Sequence, residues 1–268
     1  MRDMSPDGGH VNLLWTGGWD STFQLLRLLL VQRCRVTPFY LIDAERPSTG
    51  VELRTIRRIK ERLFHDHPHT QELLQPTRYF AVADIAPDPE ITGAFQAILR
   101  TSFIGAQYDW LARFCKENAI TDMQLSIIRG GTVYRIIQGL VAEGPEDAQG
   151  VLHIDPSSSS MDGYALFRWF TFPLLNLSKM EMGTIADENG WKEMMAMTWF
   201  CHTPTKDMKP CGRCNPCRYA IAAGLGWRIP VTSRMLSLLE RSCIRPSRSV
   251  AKRLLRRAGL LRAARQDA

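Results

Sequence analysis

The run Val11 to Trp15 is apolar and stops at Thr16-Gly17-Gly18; helical spacing of Phe23, Leu26, Leu29 and Leu30 begins directly behind it. A strand that ends in a glycine turn and continues as a helix constrains the fold more than any other stretch of this chain. The alternation then repeats. Val36 to Ile42 reads as a second strand, Val51 to Phe64 as a basic amphipathic helix, and Tyr79 to Ile85 as a third strand. Phe103 to Asn118 reads as a helix with Ile104, Trp110, Leu111 and Phe114 inward, and Met123 to Ile128 and Phe167 to Leu175 read as further strands. The polar stretch Glu143 to Gly163 contains Pro145, Pro156 and the run Ser157 to Ser160, has no periodicity, and is expected to be a loop. The expected fold is α/β, an open and mainly parallel sheet flanked by helices.

Composition bounds the function classes. With 268 residues, 45% of them hydrophobic, the chain can bury a full core as one large domain or one domain with an appendage. The opening MRDMSPDGGH lacks the apolar segment of a signal peptide. The run Leu25 to Val31 is interrupted by Arg27 and falls well short of the ~20 residues of a membrane span. A cytoplasmic protein is expected, and its seven cysteines are then thiols and not a disulfide framework. Cys34, Cys115 and Cys243 stand among apolar neighbours and read as core thiols.

The glycine turn carries chemistry. Glycine lets the backbone turn tightly and approach a ligand, and the helix behind it aims unpaired N–H groups and a positive dipole end into the turn. An anion is the natural occupant, with hydroxyls from Thr16, Ser21 and Thr22 as added donors. No lysine follows, so this is not the GxxxxGK[ST] phosphate loop, nor is it GxGxxG. The competing reading is a plain turn with Asp20 or Ser21 capping the helix.

Cys201, Cys211, Cys214 and Cys217 have metal-ligand spacing. Gly212 lets backbone N–H groups turn toward thiolate sulfur, and Asn215-Pro216 makes a second tight step. Four soft thiolates favour one structural Zn²⁺ per chain, closed to water and substrate; an iron–sulfur cluster is the alternative. His202 reads as a neighbour of this set and not a ligand, and His65-Asp66-His67-Pro68-His69 as an exposed loop and not a metal site.

TGGWDS resembles the SGGxDS signature of the PP-loop ATP pyrophosphatases, with Thr16 in place of serine. Pro173 to Glu181 (PLLNLSKME), Thr198 to Cys201 (TWFC) and Pro210 to Arg218 (PCGRCNPCR) together resemble the C-terminal half of the 7-cyano-7-deazaguanine synthase family. With a weaker match over Arg100 to Ala119, the similarity covers most of residues 11–226. It implies an ATP site made by Trp15, Thr16, Gly17, Gly18, Trp19, Asp20, Ser21, Thr22 and Lys179, with Asp20 and Ser21 catalytic and Asp20 helping to hold Mg²⁺. Ser178 and Glu181 have capping-box spacing, and for Lys179 between them a solvated first-turn lysine is the competing reading. The implied reaction, in queuosine and deazapurine synthesis, adenylates 7-carboxy-7-deazaguanine with loss of pyrophosphate. Ammonia then displaces AMP to give the amide, and a second adenylation and dehydration gives the nitrile.

Arg100 and Arg129 are the candidate contacts to the substrate carboxylate, which guanidinium binds bidentately, against ordinary surface or packing arginines. The chain departs from the family where Ser126 to Tyr134 (SIIRGGTVY) stands in place of a Tyr-Pro-Asp-Cys phrase that helps recognise the base. ATP and zinc chemistry therefore carry over further than the substrate does. The alternatives are a relative that adenylates a protein terminus, a peptide or a tRNA base, and a non-catalytic nucleotide- or RNA-binding zinc protein.

The expected organisation is a disordered terminus over 1–10, a PP-loop domain over 11–195, a zinc element over 196–230 and a basic helical tail over 231–268. The tail holds ten basic residues against Glu240 and Asp267, a charge of +8, so of the net +7 residues 1–230 contribute −1. Its amphipathic stretch Val250 to Ala264 suits an RNA backbone, an anionic membrane surface, a partner subunit or homodimer mate, or a face of its own domain.

Overall fold

In the computed structural model, which describes residues 8–141, 151–222 and 224–235, the first apolar run is strand β1 (Gly8–Leu14). It already begins within the terminus expected to be disordered, because Gly8 and His10 pair with the next strand. Helix α1 (Trp19–Leu26) follows the glycine turn and loosens into a π-helical turn over Arg27–Val31. The chain continues through β2 (Cys34–Ile42), α2 (Thr49–Asp66), α3 (Thr70–Leu73), β3 (Arg78–Ala81), α4 (Pro89–Leu99) and α5 (Gln107–Glu117). Then come β4 (Met123–Gln124), α6 (Gly131–Gln138), β5 (Leu152–His153), α7 (Asp162–Phe167), β6 (Phe170–Phe172), α8 (Lys179–Glu188), α9 (Lys192–Ala196) and α10 (Asn215–Ala222).

The sheet runs β3-β2-β1-β4-β6-β5, parallel throughout except for β5 against β6. Helices cover both faces, so neighbouring residues of β2 are buried in two different cores. Val36 and Tyr40 join Leu13, Phe23, Ile56, Ile59, Met182 and Trp191 on one face. Phe39 and Leu41 join Phe95, Phe114, Met123, Phe167 and Phe172 on the other. Arg27 is drawn into this interior, where burial pulls its guanidinium below the usual range and its Nη1 donates to the carbonyl of Pro173, 3.3 Å away.

Several elements are shorter than the periodicity predicts. The strand expected over Tyr79 to Ile85 ends at Ala81 and curls into a 3₁₀ turn over Val82–Asp84. That expected over Met123 to Ile128 leaves the ladder after Gln124, and the N–H of Ile127 turns back to the carbonyl of Leu125 at 2.8 Å. The helix expected from Phe103 starts only at Gln107. Residues 143–150 of the expected polar loop lie outside the described residues. From Leu152 onward that stretch is ordered as β5, a 3₁₀ turn over Pro156–Ser160 and α7, which corrects the loop assignment.

The chain divides into two compact units, Met1–Thr203 and Pro204–Ala268. The described part of the second unit holds α10 and a 3₁₀ turn over Gly226–Arg228. The amphipathic stretch Val250 to Ala264, Cys243 and the rest of the tail beyond Met235 lie outside the described residues. Among the described residues no helix is long and apolar enough to cross a membrane.

Phe114 packs at 4.8 Å between ring centroids on Phe80 and at 6.1 Å on Phe39, with 1% of its surface exposed. Phe114→Ala is expected to cost about 3–5 kcal/mol in urea unfolding. Phe103→Ala, at a residue 85% exposed, is expected to change stability by less than about 0.5 kcal/mol.

Candidate functional site

The strands that follow β1 lie on one side of it as β2 and β3, and on the other as β4, β6 and β5. In open α/β sheets such a reversal leaves a crevice outside the carboxyl ends of the central strands, here β1 and β4. Three connections meet at that end of the sheet: the turn 15–18 after β1, the segment 125–130 after β4 and the segment 173–178 after β6.

In the first connection Gly17 has φ 69°, a left-handed conformation that side chains resist. A Cβ on Gly17 would stand 3.2 Å from Thr55 Cγ2 and 3.3 Å from Ile56 Cγ1, so α2 fills the space behind the turn. Gly18 is the N-cap of α1 and offers no side-chain cap. The helix therefore starts with its first-turn N–H groups lacking an intrahelical partner, as at any helix N-terminus. Neither Asp20 nor Ser21 is that cap. The Ser21 hydroxyl donates to the Gly18 carbonyl at 3.5 Å and accepts from the Thr16 N–H at 3.4 Å, closing the turn on itself. Trp15 and Thr22 are fully buried beneath it, where the Trp15 indole donates to the Thr22 hydroxyl at 3.1 Å.

The third connection supplies the cation. Ser178 caps α8 in a complete capping box with Glu181, and the next residue, Lys179, reaches Asp20 with Nζ 2.7 Å from Oδ1. Residues 159 positions apart in sequence are thus one ion pair at the mouth of α1. Hydrogen bonds from Ser178 hold the Glu181 carboxyl below its usual range, helped by Arg129. Burial pushes the hydroxyl of Tyr108, in the first turn of α5, up to about 12, and the charge of Asp20 adds to the effect.

The second connection is tied to the third. The N–H of Arg129 donates to the Leu177 carbonyl at 2.8 Å, and its guanidinium donates to the Asn176 carbonyl and faces Glu181 at 3.5 Å. The arginine read as a partner for a substrate carboxylate already has a carboxylate partner within the fold. Gly130 and Gly131 follow at φ 98° and 83°, with open space where their side chains would be. Arg100 is exposed at the C-cap of α4 and, among the described residues, makes no hydrogen bond or ion pair with the turn.

The Sγ atoms of Cys201, Cys211, Cys214 and Cys217 all lie within 4.8 Å of one another. The backbone N–H groups of Arg213 and Cys214 donate to Cys211 Sγ at 3.3 and 3.4 Å, and Gly212 makes this knuckle at φ 74°. Four converging thiols, three of them buried, with N–H donors aimed at sulfur, fit a thiophilic metal. Among the described residues this is the only such group, and it includes none of His65, His67, His69 or His202. Cys34 and Cys115 are buried, and burial pushes the Cys115 thiol up to about 12, which suits inert core thiols. A separate groove of about 620 Å³ lies along α2 between Ile42, Leu53, Phe64 and Tyr79, with Arg57 and Lys60 at its rim.

Residues 168–224 match the family model described as queuosine biosynthesis protein QueC. This segment carries the Ser178–Glu181 cap, Lys179 and all four cysteines, and the resemblance read from the sequence is borne out over it. No curated protein matches the chain. Among solved structures, the U34-tRNA thiolase NcsA from Methanococcus maripaludis, determined with its [4Fe-4S] cluster, aligns with a TM-score of 0.38 at 12% identity. That alignment covers 100% of this chain and 78% of the other.

Gly17→Ala is expected to lose about 1–2 kcal/mol of stability in urea unfolding, from the left-handed backbone alone. The control Gly50→Ala, in α2 with nothing within 4 Å of the new methyl, is expected to lose nothing.

Proposed function

We propose that this chain, with its QueC-like segment, is an ATP-cleaving enzyme that activates a substrate carboxylate by adenylation. The observation that carries this reading is the uncapped start of α1 behind a left-handed glycine, faced by the Lys179–Asp20 pair. A pyrophosphate group suits such a turn, since unpaired N–H groups and the helix dipole attract it without a lysine in the loop. Thr16 keeps a hydroxyl at the position where the resembling signature has serine. Asp20 is the residue for Mg²⁺, which takes carboxylate and phosphate oxygens together. Ser21 shapes the turn through its two bonds, and Trp15 and Thr22 support it from beneath.

In this reading a carboxylate oxygen of the substrate attacks the α-phosphorus, the bond to the bridging oxygen breaks and pyrophosphate leaves. Ammonia then forms the C–N bond as AMP departs. The protein's part is to hold the reactants in line and to neutralise charge. Arg129 serves by fixing the connection that carries Lys179. The substrate proposed is 7-carboxy-7-deazaguanine, on the strength of the QueC match. The buried thiols of Cys34 and Cys115 suit a reducing compartment, and a cytoplasmic setting is part of the proposal.

The metal proposed at the four cysteines is a single structural Zn²⁺. A tetrahedron of ~2.3 Å Zn–S bonds has sulfur–sulfur edges of about 3.8 Å, and Cys211 and Cys217 stand 3.9 Å apart. In a [4Fe–4S] cluster each cysteine binds a different iron, so the four sulfurs spread more widely than around one ion. Zinc would hold the chain's fold there and take no part in bond making.

The test is pyrophosphate release from Mg-ATP by metal-loaded protein, with and without 7-carboxy-7-deazaguanine and ammonium. Release that depends on this substrate, with the nitrile found by mass spectrometry, is expected. Asp20→Ala is expected to lose release with the fold retained, and Cys214→Ser to lose the metal and soluble expression. Nucleotide binding without release for any carboxylate would instead make the chain a binding protein.

A further inference from the structure

Trp199 touches two places that the sequence keeps far apart. Its backbone N–H donates to the carbonyl of Gly17 at 2.9 Å, which is the residue at the bend of the turn. Its own carbonyl would stand 3.7 Å from a Cβ on Gly18, so it lies along the back of the same turn. Its indole Nε1 donates to the carbonyl of Cys201 at 2.6 Å, and Cys201 is one of the four converging thiols. One half-buried residue therefore has its main chain on the glycine turn and its side chain on a metal ligand.

The neighbours leave the segment little freedom. Thr198 is buried and its hydroxyl donates to the Met195 carbonyl at the end of α9, and the ring of Phe200 stacks on that of Trp199 at 6.3 Å. A peptide held at both ends transmits a shift at one end to the other, because ω is planar and only φ and ψ can absorb it. Gly17 is the receiving end. With Thr55 and Ile56 behind it, the position of its carbonyl fixes the direction of the peptide that opens the anion site.

We infer that Trp199 is a positioning residue that couples metal occupancy at Cys201, Cys211, Cys214 and Cys217 to the affinity of the Gly17 turn for nucleotide phosphates. With the metal held, Cys201 is fixed, and through it the Trp199 N–H stays on the Gly17 carbonyl. Without it, the four thiols have no common ligand and that anchor loosens. This rests on the reading of the turn as an ATP site. It also makes the metal centre more than a local staple, although no metal orbital takes part in chemistry.

Coupling of this kind is reciprocal: if metal tightens nucleotide, nucleotide must tighten metal by the same factor. Two measurements on the full chain follow. The first is the Kd for Mg-ATP by calorimetry, with protein loaded with zinc and protein stripped by chelator, folding being checked by near-UV circular dichroism. The second is the affinity of the loaded protein for zinc in competition with a chromogenic chelator, with and without Mg-ATP.

Wild type is expected to lose roughly 5–10-fold in nucleotide affinity on stripping, and to gain a similar factor in zinc affinity with Mg-ATP. Trp199→Phe keeps the ring and loses the bond to Cys201; it is expected to bind one zinc per chain yet show less than about 2-fold change in either measurement. A merely structural tryptophan would lower stability and leave the coupling factor intact. Equal Mg-ATP affinity in loaded and stripped wild type, or undiminished coupling in Trp199→Phe, overturns the inference while leaving the ATP site standing. Absence of Mg-ATP binding by loaded wild type overturns both. Where stripping unfolds the chain, the zinc competition alone decides.

Discussion

Gly17 is the point at which the first unit is most tightly determined. Its left-handed backbone, the Thr55 methyl and the Ile56 Cγ1 methylene behind it, and the Trp199 N–H on its carbonyl bring β1, α2 and the segment after α9 to one residue. Each contact alone is ordinary. Together they remove the alternatives open to a glycine, whose native value lies in freedom that the surrounding structure then takes away. The turn is consequently rigid on its inner side, and the side facing the crevice is the one left for a ligand.

Charge at the crevice is arranged in pairs rather than as a basic patch. Lys179 lies on Asp20, and two residues further along α8 Glu181 lies on its own cap and on Arg129. Lys179 and Glu181 belong to one helical turn, so the cap that starts α8 also sets the spacing of both pairs. Any cation drawn to Asp20 competes with Lys179 for the same oxygens. The Tyr108 hydroxyl is held protonated chiefly by burial, and the charge of Asp20 opposes its ionisation further. Both pairs are partly exposed, so each is weak and a more highly charged ligand can replace one partner.

Periodicity made β1, β2 and α2 legible because each buries a long apolar stripe, and the α/β class follows from those three with the later strands. The stretch from 78 onward was legible only in part. β3 lies at the sheet edge, where a single neighbour lets the chain curl away after Ala81. β4 carries only two ladder residues because Ile127 bonds back to Leu125. Helix α4 carries local signals of its own, since Asp88 caps it, Pro89 opens it and Ile91, Phe95 and Ile98 form its buried stripe. The cysteine set was readable because metal ligands cluster along the chain. The Lys179–Asp20 and Trp199–Gly17 contacts were not, since each joins residues 159 or more positions apart and no local pattern encodes such a meeting.

Under the proposed function, nucleotide chemistry and substrate choice fall to different connections of the sheet, and the two connections are built differently. The turn after β1 and the start of α8 have a close-packed back, an uncapped helix and a fixed ion pair. The segment after β4 has two left-handed glycines surrounded by open space, and an arginine whose charge is already answered by Glu181. This is where the resembling family places the phrase that reads its base. Glycines contribute only backbone groups to recognition, and backbone groups distinguish shape and hydrogen-bond pattern less sharply than paired side chains do. Under the proposed function, discrimination among carboxylates comes from side chains that reach this opening from other elements. Arg129 of the β4 segment also holds the connection that carries Lys179, so a change of residues at this opening has to keep the bonds of Arg129 to Leu177 and Asn176 if the Lys179–Asp20 pair is to stay in place.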